Sequence, residues 1–127
     1  MSPWVDPGNS GASMHANEAF DWMTKDMADL LGHWAGSGGG HDHPLFRLSG
    51  ADLSALPPTL IQYGQAELCR DMIDELRVRQ ASASNVTFET WPDMNHNFQG
   101  FGHLVNQSEE ALARIASFVA GRCAVPG

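Results

Sequence analysis

The chain has 127 residues, enough for one compact domain that buries roughly two-thirds of the surface its unfolded form exposes. It is 43% hydrophobic and 17% charged, and its net charge of −8 comes from 7 basic and 15 acidic residues; that balance argues against nucleic acid and anionic membrane as partners. Cys69 and Cys123 make neither a disulfide framework nor a zinc motif, no apolar run approaches the ~18 residues of a membrane span, and the start Met1-Ser2-Pro3-Trp4-Val5-Asp6 has no signal-peptide pattern, so a cytoplasmic chain with free thiols is the default expectation.

Residues 1–23 carry turn chemistry in Pro3, Pro7, Gly8, Asn9 and Gly11, which predicts irregular structure. A helix is expected next, capped by Thr24, with Asp26 in its first turn and an apolar face of Met27, Leu30, Leu31 and Trp34. The run 36–40, four glycines and one serine, ends it. Pro44, Pro57 and Pro58 predict an extended crossing segment over 41–58. The run Thr59-Leu60-Ile61-Gln62-Tyr63, closed by Gly64, reads as a buried strand. A helix follows with Cys69, Met72, Ile73 and Leu76 on one face, and residues 82–85 break it. Residues 86–91 read as a second strand, stopped by Pro92. The last helix is expected to start at Ser108, to bury Leu112, Ile115, Ala116 and Val119, and to end at Gly121. Strands alternating with helices predict an α/β fold with the strands parallel and Leu60, Ile61, Val86 and Phe88 buried.

Ligands of open parallel sheets bind at the carboxyl ends of the strands. Glu67 and His96 each follow such an end, with one helix and one strand between them, so both fall on the same edge of the sheet. A carboxylate beside an imidazole fixes its tautomer and stabilises the imidazolium, as a general base requires. Spacing alone leaves open a surface glutamate and an unrelated loop histidine.

The residues themselves add a resemblance. Leu56-Pro57-Pro58-Thr59-Leu60-Ile61-Gln62-Tyr63-Gly64 is similar to the strand before the triad acid of hormone-sensitive-lipase-like α/β-hydrolases. That family continues Gly-x-x-Asp-x-Leu-x-Asp, and here the segment runs Gly64-Gln65-Ala66-Glu67-Leu68-Cys69-Arg70-Asp71. Trp91-Pro92-Asp93-Met94-Asn95-His96-Asn97-Phe98 resembles the family's Tyr-Pro-Gly-Met-x-His-x-Phe, whose histidine is the catalytic base. Ser2-Pro3-Trp4 resembles a segment that ends an earlier strand, and residues 17–48 resemble the cap helix and its return. The resemblance implies the C-terminal part of an α/β-hydrolase, with a cap piece at about 12–50 and a core at about 51–127. It implies carboxylic ester hydrolysis on a small-molecule ester, with His96 as base and Glu67 as acid and with no metal or organic cofactor. Trp22, Met23, Met27, Trp34 and Phe98 become candidates for lining the substrate pocket.

Two departures stand out. Glutamate replaces the usual aspartate, which keeps Asp71 as an alternative acid; Asp71 is expected to support the loop from the first helical turn. No Gly-x-Ser-x-Gly elbow and no His-Gly-Gly-Gly oxyanion motif occurs in the 127 residues. The nucleophile is thus expected to lie outside them, and the isolated chain to be inactive, marginally stable and prone to self-association. Amide or formamide hydrolysis by the same triad, and a catalytically silent binding domain, are the alternatives. His41-Asp42-His43 reads as a solvated loop, and His15, His33 and His103 as surface residues.

Overall fold

The computed structural model describes residues 1–36 and 46–122. The 36–40 run beyond Gly36, the His41-Asp42-His43 loop and Cys123 lie outside the described residues. The elements in chain order are α1 (Ser13–Ala16), α2 (Lys25–Gly36), a 3₁₀ turn (Leu48–Gly50), β1 (Thr59–Gly64), α3 (Arg70–Arg79), β2 (Val86–Trp91), a second 3₁₀ segment (Phe98–Leu104) and α4 (Asn106–Ala120). Three short pieces were not foreseen: the single turn α1 within the first 23 residues, the turn at 48–50, which falls between the prolines that exclude a longer helix, and the 3₁₀ segment at 98–104. Among the described residues no helix is long and apolar enough to cross a membrane.

β1 and β2 pair in parallel, from Thr59 opposite Val86 to Gly64 opposite Trp91. Side chains alternate across β1, so Ile61 and Tyr63 enter the main core with Leu68, Met72, Ile73 and Leu76. Gln62 points to the opposite face and is fully buried. Its amide donates to Glu89 and to the Ala111 carbonyl, and its oxygen accepts from Gln99, which satisfies a polar group inside the fold. A smaller cluster of Trp91, Phe98 and Ala111 lies under α4. Of the strand residues expected to be buried, Ile61 is; Leu60, Val86 and Phe88 are half-buried.

The helices depart from their apolar periodicity. α2 is capped by Thr24, whose hydroxyl accepts the Met27 N–H at 3.2 Å. Yet its buried residues are Ala28, Gly32 and Gly36, while Met27, Leu30, Leu31 and Trp34 are exposed. The reason is close approach: a Cβ at Gly32 would stand 2.3 Å from the Pro7 carbonyl oxygen, so only the small-residue face seats against that loop. α4 begins at Asn106 rather than Ser108 and buries Ser108 and Ala111. Leu112, Ala116 and Val119 are exposed and Ile115 is half-buried, because no described segment packs on that side. The Ser108 hydroxyl instead donates to the Phe98 carbonyl at 2.6 Å, which ties α4 to the loop after β2.

Gly32→Ala should therefore destabilise the chain by about 1–3 kcal/mol despite the better helix propensity of alanine. Gly50→Ala, where an added Cβ meets nothing within 4 Å, should stay within about 0.5 kcal/mol of the parent. Urea midpoints of the two variants check this pair; equal midpoints would contradict it.

Candidate active site

The parallel register ends β1 and β2 side by side and sends both following loops to one edge of the sheet. They are joined at their bases, where Gln65 N–H donates to the Trp91 carbonyl at 2.8 Å and Ala66 N–H to the Met94 carbonyl at 2.9 Å. Gly64 makes this approach possible: a Cβ there would sit 2.0 Å from the Met94 oxygen. Asp93 and Asn97 hold left-handed backbone on either side of the histidine, at φ 59° and 52°; these residue types tolerate that region best after glycine.

Glu67 is fully buried. Its Oε2 accepts the Gly64 N–H at 3.2 Å and stands 3.7 Å from His96 Nδ1. That separation is an ion-pair distance, longer than a hydrogen bond. Glu67 Oε1 and His96 Nδ1 are buried and have no hydrogen-bond partner. On the far side of the ring, Nε2 lies 2.9 Å from the Asn97 side-chain amide nitrogen. An N–H donated there requires Nε2 to carry the lone pair and Nδ1 the proton, which faces the carboxylate.

Asp71 points elsewhere. Its Oδ2 accepts the Ser13 N–H at 2.8 Å, while the Ser13 hydroxyl accepts the Asp71 N–H and donates to the Leu68 carbonyl. It fastens α1 to the start of α3. Cys69 is buried beside the site, and desolvation, with the charges of Glu67 and Asp21 added, pushes its thiol up to about 12. That shift favours the thiol over the thiolate, the form a nucleophile needs.

The five pocket candidates separate. Trp22 alone lies against His96: its indole N–H donates to the His96 carbonyl at 2.6 Å, and the rings stand 6.0 Å apart. It also borders a hollow of about 260 Å³ with Asn97, Gly100 and Phe101. Met23 is in the main core, Met27 and Trp34 are on the exposed side of α2, and Phe98 is buried against Trp91. A larger hollow of about 600 Å³, bordered by Asp6, Arg47, Glu75 and Arg79, contains neither Glu67 nor His96. Among the described residues no group of three or more His, Cys, Asp or Glu could hold a metal ion.

The sequence reading missed Asp21, Asn17 and Asn97. Asn17 donates to the Glu67 carbonyl at 2.9 Å, and Asp21 accepts from Leu68 N–H and His96 N–H. The only local sign is the Asx turn of Asp21, which accepts the Met23 N–H. Its long-range partners lie 47 and 75 residues away.

Residues 1–100 match a family model described as alpha/beta hydrolase fold. The chain is 32% identical over 124 residues to an acetyl-hydrolase of Streptomyces hygroscopicus, covering 94% of this chain and 40% of that protein. It is 32% identical over 125 residues to an esterase of Acinetobacter venetianus, covering 93% and 40%. The crystal structure of an esterase from the bacterial hormone-sensitive lipase family superposes with a TM-score of 0.83 at 32% identity, over 93% of this chain and 40% of that one. The chain thus spans about 40% of the length of the curated relatives it matches. With its parallel strands, its crossover helix and this match over most of its length, the chain belongs to the α/β-hydrolase fold family.

Proposed function

We propose that these residues supply the acid and the base of a serine triad that hydrolyses a carboxylic ester through an acyl-enzyme. One observation carries the reading: buried Glu67 and His96 face each other at 3.7 Å across two loops, each with an unpaired polar atom, at the carboxyl edge of a parallel sheet. His96 protonated on Nδ1 offers the Nε2 lone pair to a serine hydroxyl and takes its proton as the serine attacks the ester carbonyl. Glu67 stabilises the imidazolium so formed. His96 then gives the proton to the departing alcohol, and a second cycle with water releases the acid. The serine hydroxyl takes the place on Nε2 that the Asn97 amide occupies. Residues of about 12–50 act as part of a cap over the site, with Trp22 as its wall beside His96, and about 51–127 form the core. Ester rather than amide is favoured by the name of the Acinetobacter relative, an esterase.

No elbow serine or oxyanion motif is among the 127 residues, and those groups supply most of the rate. The purified chain should therefore turn over a short-chain aryl ester no faster than free imidazole does. Saturable turnover that disappears in His96→Ala would contradict this and reveal a nucleophile within these residues.

A further inference from the structure

One carboxylate touches both loops of the candidate site at the reacting pair itself. Asp21 Oδ2 accepts the Leu68 N–H at 2.8 Å, next to Glu67, and Oδ1 accepts the His96 N–H at 3.4 Å. Oδ1 also accepts the Met23 N–H at 3.3 Å, a local turn that fixes the orientation of the carboxylate. The neighbouring residues complete the grip. Trp22 holds the His96 carbonyl, and Asn17 holds the Glu67 carbonyl. Each loop is thus held at both an N–H and a C=O by residues 17–22. The direct links between the loops, at Gln65 and Ala66, fix only their bases. Hydrogen bonds from N–H groups to an ionised carboxylate are roughly twice as strong as neutral ones. Glu67 and His96 stand 3.7 Å apart, so sub-ångström movement of either loop decides whether a hydrogen bond forms between them.

We infer that Asp21 is a positioning residue, a single carboxylate that holds the acid loop and the base loop at the spacing through which Glu67 controls the His96 ring. This rests on the acid–base reading above. Asp21 bonds backbone N–H groups of the two loops, so it acts through them and not on substrate.

The test follows the Nδ1-bound proton of His96 by ¹⁵N-labelled NMR of the whole chain, at about pH 8, above the ordinary imidazole range. In the parent the proton is expected on Nδ1 and slow to exchange. Asp21→Ala removes the carboxylate that the Leu68 and His96 N–H groups bond and lets the loops part, and it should speed this exchange by about ten- to a hundredfold, the range expected when a hydrogen bond to a charged group is lost, here the bonds to Asp21. Asp21→Asn, which keeps the shape and one acceptor oxygen, should fall between. Gly32→Ala, which loosens the cap segment elsewhere, serves as the destabilised control and should leave the signal unchanged. If Asp21→Ala does not fold, the intermediate effect of Asp21→Asn decides. Parent-like exchange in both folded Asp21 variants, or an equal change in Gly32→Ala, would overturn the positioning role and leave the Glu67–His96 reading standing. A parent ring protonated on Nε2 would instead overturn that reading, and the positioning role with it.

Discussion

When the chain is joined to the part of the Streptomyces acetyl-hydrolase that it does not cover, His96→Ala is expected to lower kcat by roughly 10⁴- to 10⁶-fold. In the proposed mechanism the imidazole both removes the serine proton and delivers it to the leaving alcohol, so no other group covers its loss. Glu67→Gln should cost roughly 10⁴-fold, because a neutral amide no longer stabilises the imidazolium and permits the wrong tautomer. Asp71→Asn should leave kcat near the parent value, since Asp71 bonds the Ser13 turn and does not reach His96. These kinetics separate the two possible acids. A loss in Asp71→Asn as large as in Glu67→Gln would show that the assembled enzyme uses the carboxylate one helical turn further on.

The second large effect is expected at Gly64. A methyl group there would stand 2.0 Å from the Met94 oxygen and 2.5 Å from its carbonyl carbon, both backbone atoms. Neither can yield without moving the whole histidine loop, because Ala66 N–H is bonded to that same Met94 oxygen. Gly64→Ala should cost about 3–5 kcal/mol, a large share of the ~5–15 kcal/mol that holds a domain together. Whatever folds should have lost the facing of Glu67 and His96. Gly100→Ala, in the same loop region but with open space around an added Cβ, should unfold like the parent. Denaturant unfolding of the two variants checks the contrast, and a parent-like midpoint for Gly64→Ala would contradict the close approach described here.

Much of this was legible in the sequence where local pattern and tertiary environment agree. The apolar run ending in Gly64, the stop at Pro92 and the helix between them set the crossover, and the crossover alone places Glu67 and His96 on one edge. The apolar periods of α2 and α4 misled for two different physical reasons. Periodicity ranks the faces of a helix by hydrophobicity, whereas α2 is seated by close backbone approach, which selects Gly32 over Leu31. On α4 the apolar face has no described partner, so its period has nothing to report. Asp21 was not legible because its role is a distance between two loops far along the chain. An isolated aspartate in an irregular segment reads as a turn residue, and Asp21 does make that turn as well.

The central claim, that Glu67 and His96 act as acid and base of one triad, is tested most directly by the ring ¹⁵N spectrum of neutral His96 in the unaltered chain. The facing carboxylate and the Asn97 amide on Nε2 lead to one expected result: the proton on Nδ1 and a bare, proton-accepting Nε2. A ring protonated on Nε2, with Nδ1 bare toward Glu67, would contradict it.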